Sequence, residues 1–539
     1  MNKHIYSLTM GIAAATALGS CTDLDIDVKS EYTEYPQTDI AIEAKMADVY
    51  YAFRGPLGRA YNEIQTLSSD EASGISFDGD YYDTGRYSNP TLHNYLPNDD
   101  AGNYWTDLAS GITKCNQVIV DLGGDEADPA TTAPARAMRA FYHFILMDSY
   151  GDVPIADHIP DADEAVERSS RADVAKYIES EILDILPYLS EKSDASTYGK
   201  PNKWMAEALL VKLYINWAVY TVSDVTAYEP SDANEKLNDC VSYCDDIIAS
   251  GLFDLSDDYR SKFMKDNGSH IKDFIYAMPY DAVTAQGMTY GRFRAFRKID
   301  SGEPTGYYGG KMSKSCAGNI ALNPEFSDLF SLSGDKRNDA ILGGLVYIHD
   351  ANTGDATSEP YIYKGAQLEF SKTITLLTEG DATLNVGATA TGWSQGYRSI
   401  KFYPNPTEYA ENSRNQSNDV PIFRYADILL TKAEAIIRGA TATNGDSPLS
   451  LLNQIRTYVS AEQANAAPTL SDILDERGRE FFDENWRRND MIRFGTFENE
   501  YGFHRKSMSA ARFDKTCRIL PVPQDILNEN SNWKQNAGY

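Results

Sequence analysis

From residue 134 to residue 150 the chain repeats its apolar side chains on one helical face. Met138, Phe141, Tyr142, Ile145 and Leu146 follow the i, i+3, i+4, i+7, i+8 spacing, which gathers them into a single stripe at 3.6 residues per turn. Pro134 stands near the start, where a missing N–H is tolerated, and Gly151 ends the run. Such a stripe must be covered by another element. The same reading predicts further helices over 39–53, 103–122, 171–189, 202–222, 234–250, 422–438, 448–459 and 470–486, with Gly55-Pro56 and Gly123-Gly124 as breakers. Several fall into pairs with short connections, as in an array of helical hairpins, although no 34-residue repeat is visible. Trp105 and Trp204 lie on these periods and are expected in the core.

The stretch from about 255 to 420 breaks the pattern. It is rich in Gly, Ser, Thr, Asn and Tyr, and only Phe274–Met278 and Gly344–Ile348 read as short β-runs. Long loops carrying a few strands, mounted on a helical body, are the expectation there, and such loops are where binding usually resides. Hydrophobic residues make up 42% of the 539 residues, enough for a large core. The net charge of −30, with no basic run, excludes a nucleic-acid binder. Beyond Cys21 there are five cysteines, Cys115, Cys240, Cys244, Cys316 and Cys517. An odd number cannot all pair within one chain, and no second Cys or His pair completes a zinc site around Cys240 and Cys244, so buried thiols are expected.

The first residues bear on compartment. Lys3 and His4 precede an apolar run, Ile5 to Leu18, too short to span a bilayer and shaped like a secretory signal. It ends Leu18-Gly19-Ser20-Cys21, which resembles a bacterial lipobox with Cys21 as the acylated residue. Residues 1–20 then read as signal peptide and 21–36 as lipidated Cys and tether. Acyl chains contribute about 0.8 kcal/mol per buried CH₂, so two or more hold a protein on a membrane. The acidic run Asp23, Asp25, Asp27 after Cys21 resembles the export signal of surface lipoproteins in Bacteroidota.

Catalytic patterns are not found. The chain contains no His-Glu-x-x-His helix and no Gly-x-Ser-x-Gly elbow. Gly310-Lys311 lacks the Ser or Thr of a phosphate loop, having Met312, and Thr305 stands where its first Gly belongs. Asp78, Asp80 and Asp83 have the spacing of a calcium loop, but Asp83 occupies the glycine position and Asn89 the final glutamate position. A structural calcium there is an expectation, and no other cofactor is expected.

Aromatic residues in polar loops are the best candidates for ligand contact, because a flat apolar ring with neighbouring polar groups suits a carbohydrate face. One cluster comprises Phe77, Tyr81, Tyr82, Tyr87 and Tyr95, interleaved with Asp78, Asp80, Asp83 and Arg86. A second comprises Tyr290, Phe293, Arg294, Phe296, Tyr307 and Tyr308. Trp393 and Tyr397 form a third.

Five stretches, in order, carry a family resemblance. They are Arg136-Ala137-Met138-Arg139-Ala140-Phe141-Tyr142 leading to Tyr150-Gly151-Asp152-Val153-Pro154; Lys203-Trp204-Met205-Ala206-Glu207-Ala208-Leu209-Leu210; Pro421-Ile422-Phe423-Arg424-Tyr425-Ala426-Asp427-Ile428-Leu429-Leu430 with Ala433-Glu434-Ala435; Glu476-Arg477-Gly478-Arg479-Glu480-Phe481 with Trp486-Arg487-Arg488 and Ile492-Arg493-Phe494-Gly495; and Leu520-Pro521-Val522-Pro523-Gln524 near the C-terminus. Together with the lipobox they resemble the SusD/RagB family, Phe494 standing where many members have Trp. The resemblance implies a mainly α, TPR-like scaffold over about 37–254 and 420–539, within one domain from 37 to 539. It also implies a non-enzymatic surface lipoprotein of the outer membrane that captures glycan and hands it to a SusC-like TonB-dependent transporter. Alternatives are a peptide-binding RagB-type protein and a surface adhesin without transport. The placing of the first aromatic cluster, ahead of Trp105, is similar to a ligand-contacting region of glycan-binding members. The five stretches themselves read as scaffold: Arg424, Asp427 and Glu434 lie on or beside one helix, where buried Arg–carboxylate pairs would hold packed helices in register.

Overall fold

In the computed structural model the described residues are 39–539, apart from 100–102, 162–163, 290, 297–305, 311–315 and 504–507. The contacts separate Met1–Ala44 from Lys45–Tyr539, and all packing discussed below lies within the second unit.

The helix built on the 134–150 period begins earlier than its apolar stripe. Asp128 caps it by accepting from the Ala130 N–H at 3.0 Å, and Pro129 takes the first helical position. It runs over Pro129–Tyr150 (α2 here), so Pro134 lies inside it, and its central residues from Ala137 to Tyr150 are buried. On one side it packs against Trp105–Asp121 (α1) and on the other against Arg171–Ile185 (α3). Lys203–Ile215 (α4) and Leu237–Ala249 (α5) form the next hairpin. Tyr425–Ile437 (α6) packs on α5, Pro448–Tyr458 (α7) packs on α6, and Leu470–Phe481 (α8) packs on α6 and on Arg487–Phe494 (α9). Trp105 and Trp204 are both buried.

Three expected helices come out differently, each for a local reason. The 202–222 run is interrupted at Asn216, whose side-chain amide donates to the Lys212 carbonyl at 2.9 Å and competes with the backbone ladder. The 422–438 run starts as a strand: Val420–Arg424 pairs antiparallel with Phe274–Met278, and the helix begins at Tyr425. The 470–486 run breaks after Phe481, where Asp483 and Asn485 take positive φ of 63° and 72°. In addition, Gly55-Pro56 does not end the first helical region but starts a short helix, Arg54–Gly58, followed by Ala60–Leu67.

Between Ile271 and Arg424 the chain forms two-stranded ribbons. Phe274–Met278 is a strand as expected, whereas the 344–348 run divides into Gly344–Leu345 and Tyr347–His349, paired with Glu369–Phe370 and Ala356–Pro360. Ala72–Gly74, close to the N-terminal helices, pairs with Ile320–Leu322 and so joins the early chain to the ribbon region. Cys115, Cys240, Cys244 and Cys517 are buried free thiols, and Cys316 is buried as well.

What ties these parts together is a buried ionic lattice centred on α8. Arg424, at the end of its strand, bonds Asp273 at 2.5 Å, Glu480 at 2.8 Å and both carboxylate oxygens of Glu484 at 2.8 Å. Lys262 closes on Asp273 at 2.8 Å and Lys401 on Glu484 at 2.5 Å. Arg337 bridges Asp335, Glu476 and Glu480. On the other face of α8, Arg477 holds Asp427 and Asp490 at 2.7 Å each. Asp427 also takes Lys212 at 2.6 Å, and Arg493 links Asp490 to Glu434. Burial by itself would raise these carboxyl groups. The surrounding cations outweigh it and hold Asp273, Glu434 and Glu476 down to about 2.

Two outcomes are expected. Arg424→Met removes a counter-charge shared by three buried carboxylates and should lower unfolding free energy by about 3–5 kcal/mol in urea titrations. A loss below 1 kcal/mol would show that the lattice does not hold the fold. Second, folded-state values near 2 lie below the unfolded values near 4, so the ionic contribution is complete above pH about 4.5 and is lost as pH falls through 2. The urea midpoint measured against pH should fall off over that window, and Glu434→Gln should make the acid limb shallower.

Candidate functional site

Asp78-Gly79 is a local turn signal, since two successive residues with positive φ suit a two-residue hairpin. The structure has that turn: φ is 52° at Asp78 and 98° at Gly79, and Phe77 and Asp80 exchange both backbone hydrogen bonds at 3.0 and 3.1 Å. Tyr81, Asp83 and Thr84 continue in the left-handed region, at 62°, 45° and 55°. Non-glycine residues there are uncommon, and a run of them persists only where surrounding contacts over-determine the backbone.

Those contacts come from a segment some 300 residues away. Ser76 pairs with Asn385, its N–H donating to the Leu384 carbonyl and its carbonyl accepting from the Val386 N–H, both at 3.0 Å. The Asp78 N–H donates to Asn385 Oδ1 at 2.9 Å, and the Ala388 N–H donates to Asp78 Oδ2 at 3.2 Å. On this platform Asp78, Asp80, Tyr82, Asp83 and Thr84 are exposed, Tyr81 is half-buried, and Ala388, Thr389 and Thr391 are exposed alongside. Tyr82 keeps 37% of its surface, and the Tyr81 ring stands edge-on to Phe77 at 5.9 Å. Leading into the same segment, residues 373–376 with Glu379 and Gly380 line a cleft of about 540 Å³ together with Asn323, Glu325, Phe503 and Met508.

The other candidates lie elsewhere. Phe77, Tyr87 and Tyr95 are buried, and Arg86 turns inward to bond the buried Glu63 at 2.7 and 2.9 Å. In the second group Phe293, Phe296, Tyr307 and Tyr308 are all buried. Phe296 meets Tyr308 and Tyr403 edge-on at 6.1 and 5.6 Å. Trp393 is buried against Tyr363 at 5.6 Å and Phe370 at 6.3 Å, and Phe370 also touches Tyr307 at 6.1 Å. Phe296, Tyr307 and Tyr308 of the second group and Trp393 of the third are therefore joined, through Phe370, in one aromatic cluster. The expectation of ligand-facing rings is corrected for Phe77, Tyr87, Phe293, Phe296, Tyr307, Tyr308 and Trp393, which are buried: a large apolar ring next to polar loops is more stable packed beneath them than facing water. Tyr290 and the Arg294 side chain lie outside the described residues, as does Cys21.

Among the described residues no three His, Cys, Asp or Glu side chains converge as metal ligands, and Asp78 is engaged by the Ala388 N–H and Asn385. No described helix is long and apolar enough to cross a membrane.

The 384–391 partner segment was not among the sequence candidates. Nothing local to Asn385 points to it, because its role comes from an antecedent 307 residues earlier. This division of buried from exposed rings is directly testable. Trp393→Ala should destabilise by about 3–5 kcal/mol, whereas Tyr82→Ala should stay within about 0.5 kcal/mol of the parent, both read by urea unfolding.

Comparison with known proteins adds the lineage. A family model described as the SusD family matches residues 272–539, and one described as starch-binding associating with outer membrane matches residues 25–215. Starch-binding protein SusD of Bacteroides thetaiotaomicron is 25% identical over 458 residues, covering 80% of this chain and 77% of its own. A SusD-like protein of Bacteroides ovatus is 24% identical over 501 residues, covering 89% and 81%. Surface glycan-binding protein A from Bacteroides thetaiotaomicron, solved in complex with laminarihexaose, superposes with a TM-score of 0.66 at 19% identity, over 92% of this chain and 99% of its own, and shows the same fold. With two models matching both ends of the scaffold and the helical fold shared, the chain belongs to the SusD family.

Proposed function

We propose that this protein binds oligosaccharide at the Tyr81–Tyr82 platform and acts by capture and hand-over, without covalent chemistry. The observation that carries this reading is the platform itself. Tyr82 and the half-buried Tyr81 present ring surface next to Asp80 and Asp83 in the chain, on a backbone held by Ser76, Asp78 and Asn385. Ring faces give apolar area at small entropic cost. Flanking carboxylates and hydroxyls supply directional hydrogen bonds, and a rigid backbone avoids ordering cost on binding. Support comes from a relative whose name states starch binding and from a neighbour solved with laminarihexaose.

The finer parts of the proposal rest on the sequence. Acylation at Cys21 would hold the chain at the outer membrane, consistent with the outer-membrane description of the matching family model. A SusC-like TonB-dependent transporter is the proposed recipient of the ligand.

Isothermal titration against starch and β-glucan oligosaccharides, with peptides of similar size as the comparison, tests the proposal. Saturable binding of an oligosaccharide is expected. Tyr81→Ala with Tyr82→Ala should weaken it by tenfold or more, equivalent to about 1.4 kcal/mol, at unchanged thermal stability. Binding of peptides alone, or release of shorter sugars by the pure protein, would refute it.

A further inference from the structure

Behind Ala60–Leu67, between the turn Gly291–Ala295 and the bend after Phe481, lies a cavity of about 20 Å³. Asn62, Thr66, Glu71, Arg292, Ser399 and Asp483 are among its walls, and all are buried. Several of their polar atoms have partners in the protein. Arg292 Nε donates to the Asp483 carbonyl at 3.0 Å and Nη1 to the Leu57 carbonyl at 3.2 Å. Ser399 Oγ donates to Asp483 Oδ2 at 3.0 Å, and the Asp483 N–H to Glu71 Oε2 at 3.3 Å. Four atoms do not: Asn62 Oδ1, Thr66 Oγ1, Glu71 Oε1 and Arg292 Nη2 find no partner among protein atoms, on side chains no more than 5% exposed. Buried polar atoms in native proteins are satisfied by protein or by ordered water.

We infer that an ordered water molecule occupies this cavity, donating to Glu71 Oε1 and Asn62 Oδ1 and accepting from Arg292 Nη2 and Thr66 Oγ1. The chemistry of the set selects the occupant. Two acceptors, one obligate donor and one hydroxyl match a molecule with two donors and two acceptors. A cation would face the guanidinium, and an anion would face the Glu71 carboxyl. The volume exceeds the roughly 10–15 Å³ that one water requires. Burial, together with the neighbouring Asp483 carboxylate, pushes the Glu71 carboxyl well up from its usual range. Because the Thr66 hydroxyl either donates or accepts, the arrangement closes with Glu71 protonated or ionised. The water joins two parts of the chain: the early segment through Asn62, Thr66 and Glu71, and the loop-rich segment through Arg292. It thus adds to the direct bonds by which Arg292 and Ser399 already fasten the loop-bearing segment to the scaffold.

A crystal structure of the mature chain at high resolution, combined with thermal unfolding of Thr66→Val, tests the inference. The expected result is one density peak within about 2.7–3.2 Å of the four atoms, and a lower Tm for Thr66→Val because the water loses a partner. A cavity without density would overturn it. So would a raised Tm, which is the outcome if the hydroxyl is unpartnered in solution and its replacement by a methyl relieves a desolvated polar group.

Discussion

The paired charges around α8 are the constraint on which the rest of the molecule depends. Arg424, Arg337, Arg477 and Arg493 are each almost fully buried, and each contacts carboxylates from more than one segment. Taking so many ions out of water is costly, and only a nearly complete set of partners makes it tolerable. That condition acts on geometry. If α8 slid by one turn against α6, Arg477 would lose Asp427 and Glu480 would lose Arg424 together. The apolar contacts of Leu429, Leu430, Leu451, Leu452, Ile455 and Ile473 drive association of these helices, but similar hydrophobic surfaces pack in several registers. The ionic partners leave one.

The lattice also explains how a loop-rich segment stays ordered on a helical body. Asp273 and Lys262 lie at its start, Arg337 in its middle and Lys401 near its end, and all four are drawn into the same set of charges as α8. Strand pairing of Phe274–Met278 with Val420–Arg424 holds its two ends side by side. The segment is thereby anchored at both ends and at its centre. Beneath it the cluster of Tyr307, Phe370, Tyr363 and Trp393 fills the interior. The Asp78-Gly79 hairpin, its continuation to Thr84 and the 388–391 stretch are among the parts that face solvent. Strain in that hairpin is tolerated because Asn385 and Ala388 hold Asp78 from across the chain.

The helical part was legible because its signals are local. A stripe at 3.6-residue spacing announces α2 wherever it occurs, and Arg424, Asp427 and Glu434, charged residues within the apolar 421–435 run, stood out as groups waiting for partners. The errors were local too. Asn216 and the left-handed residues Asp483 and Asn485 end helices through side-chain or backbone choices weaker than the periodic signal around them. Val420 to Phe423 reads as helix until Phe274–Met278 is brought beside it, because a β-ribbon is stabilised by a partner that the sequence window does not contain.

By itself, the sequence determined that helical hairpins would form, that Arg424, Asp427 and Glu434 would be buried with opposite charges, and that aromatic loops would cluster between residues 77 and 95 and beyond 290. Only the tertiary structure decided which rings face water. The same composition surrounds Tyr82 and Tyr307, yet one keeps an open surface and the other is sealed against Tyr361 and Phe370. The difference is set by what lies across the loop, a neighbour 307 residues distant in one case and several aromatic rings in the other. Burial is a property of assembled surfaces, and no window of sequence carries it.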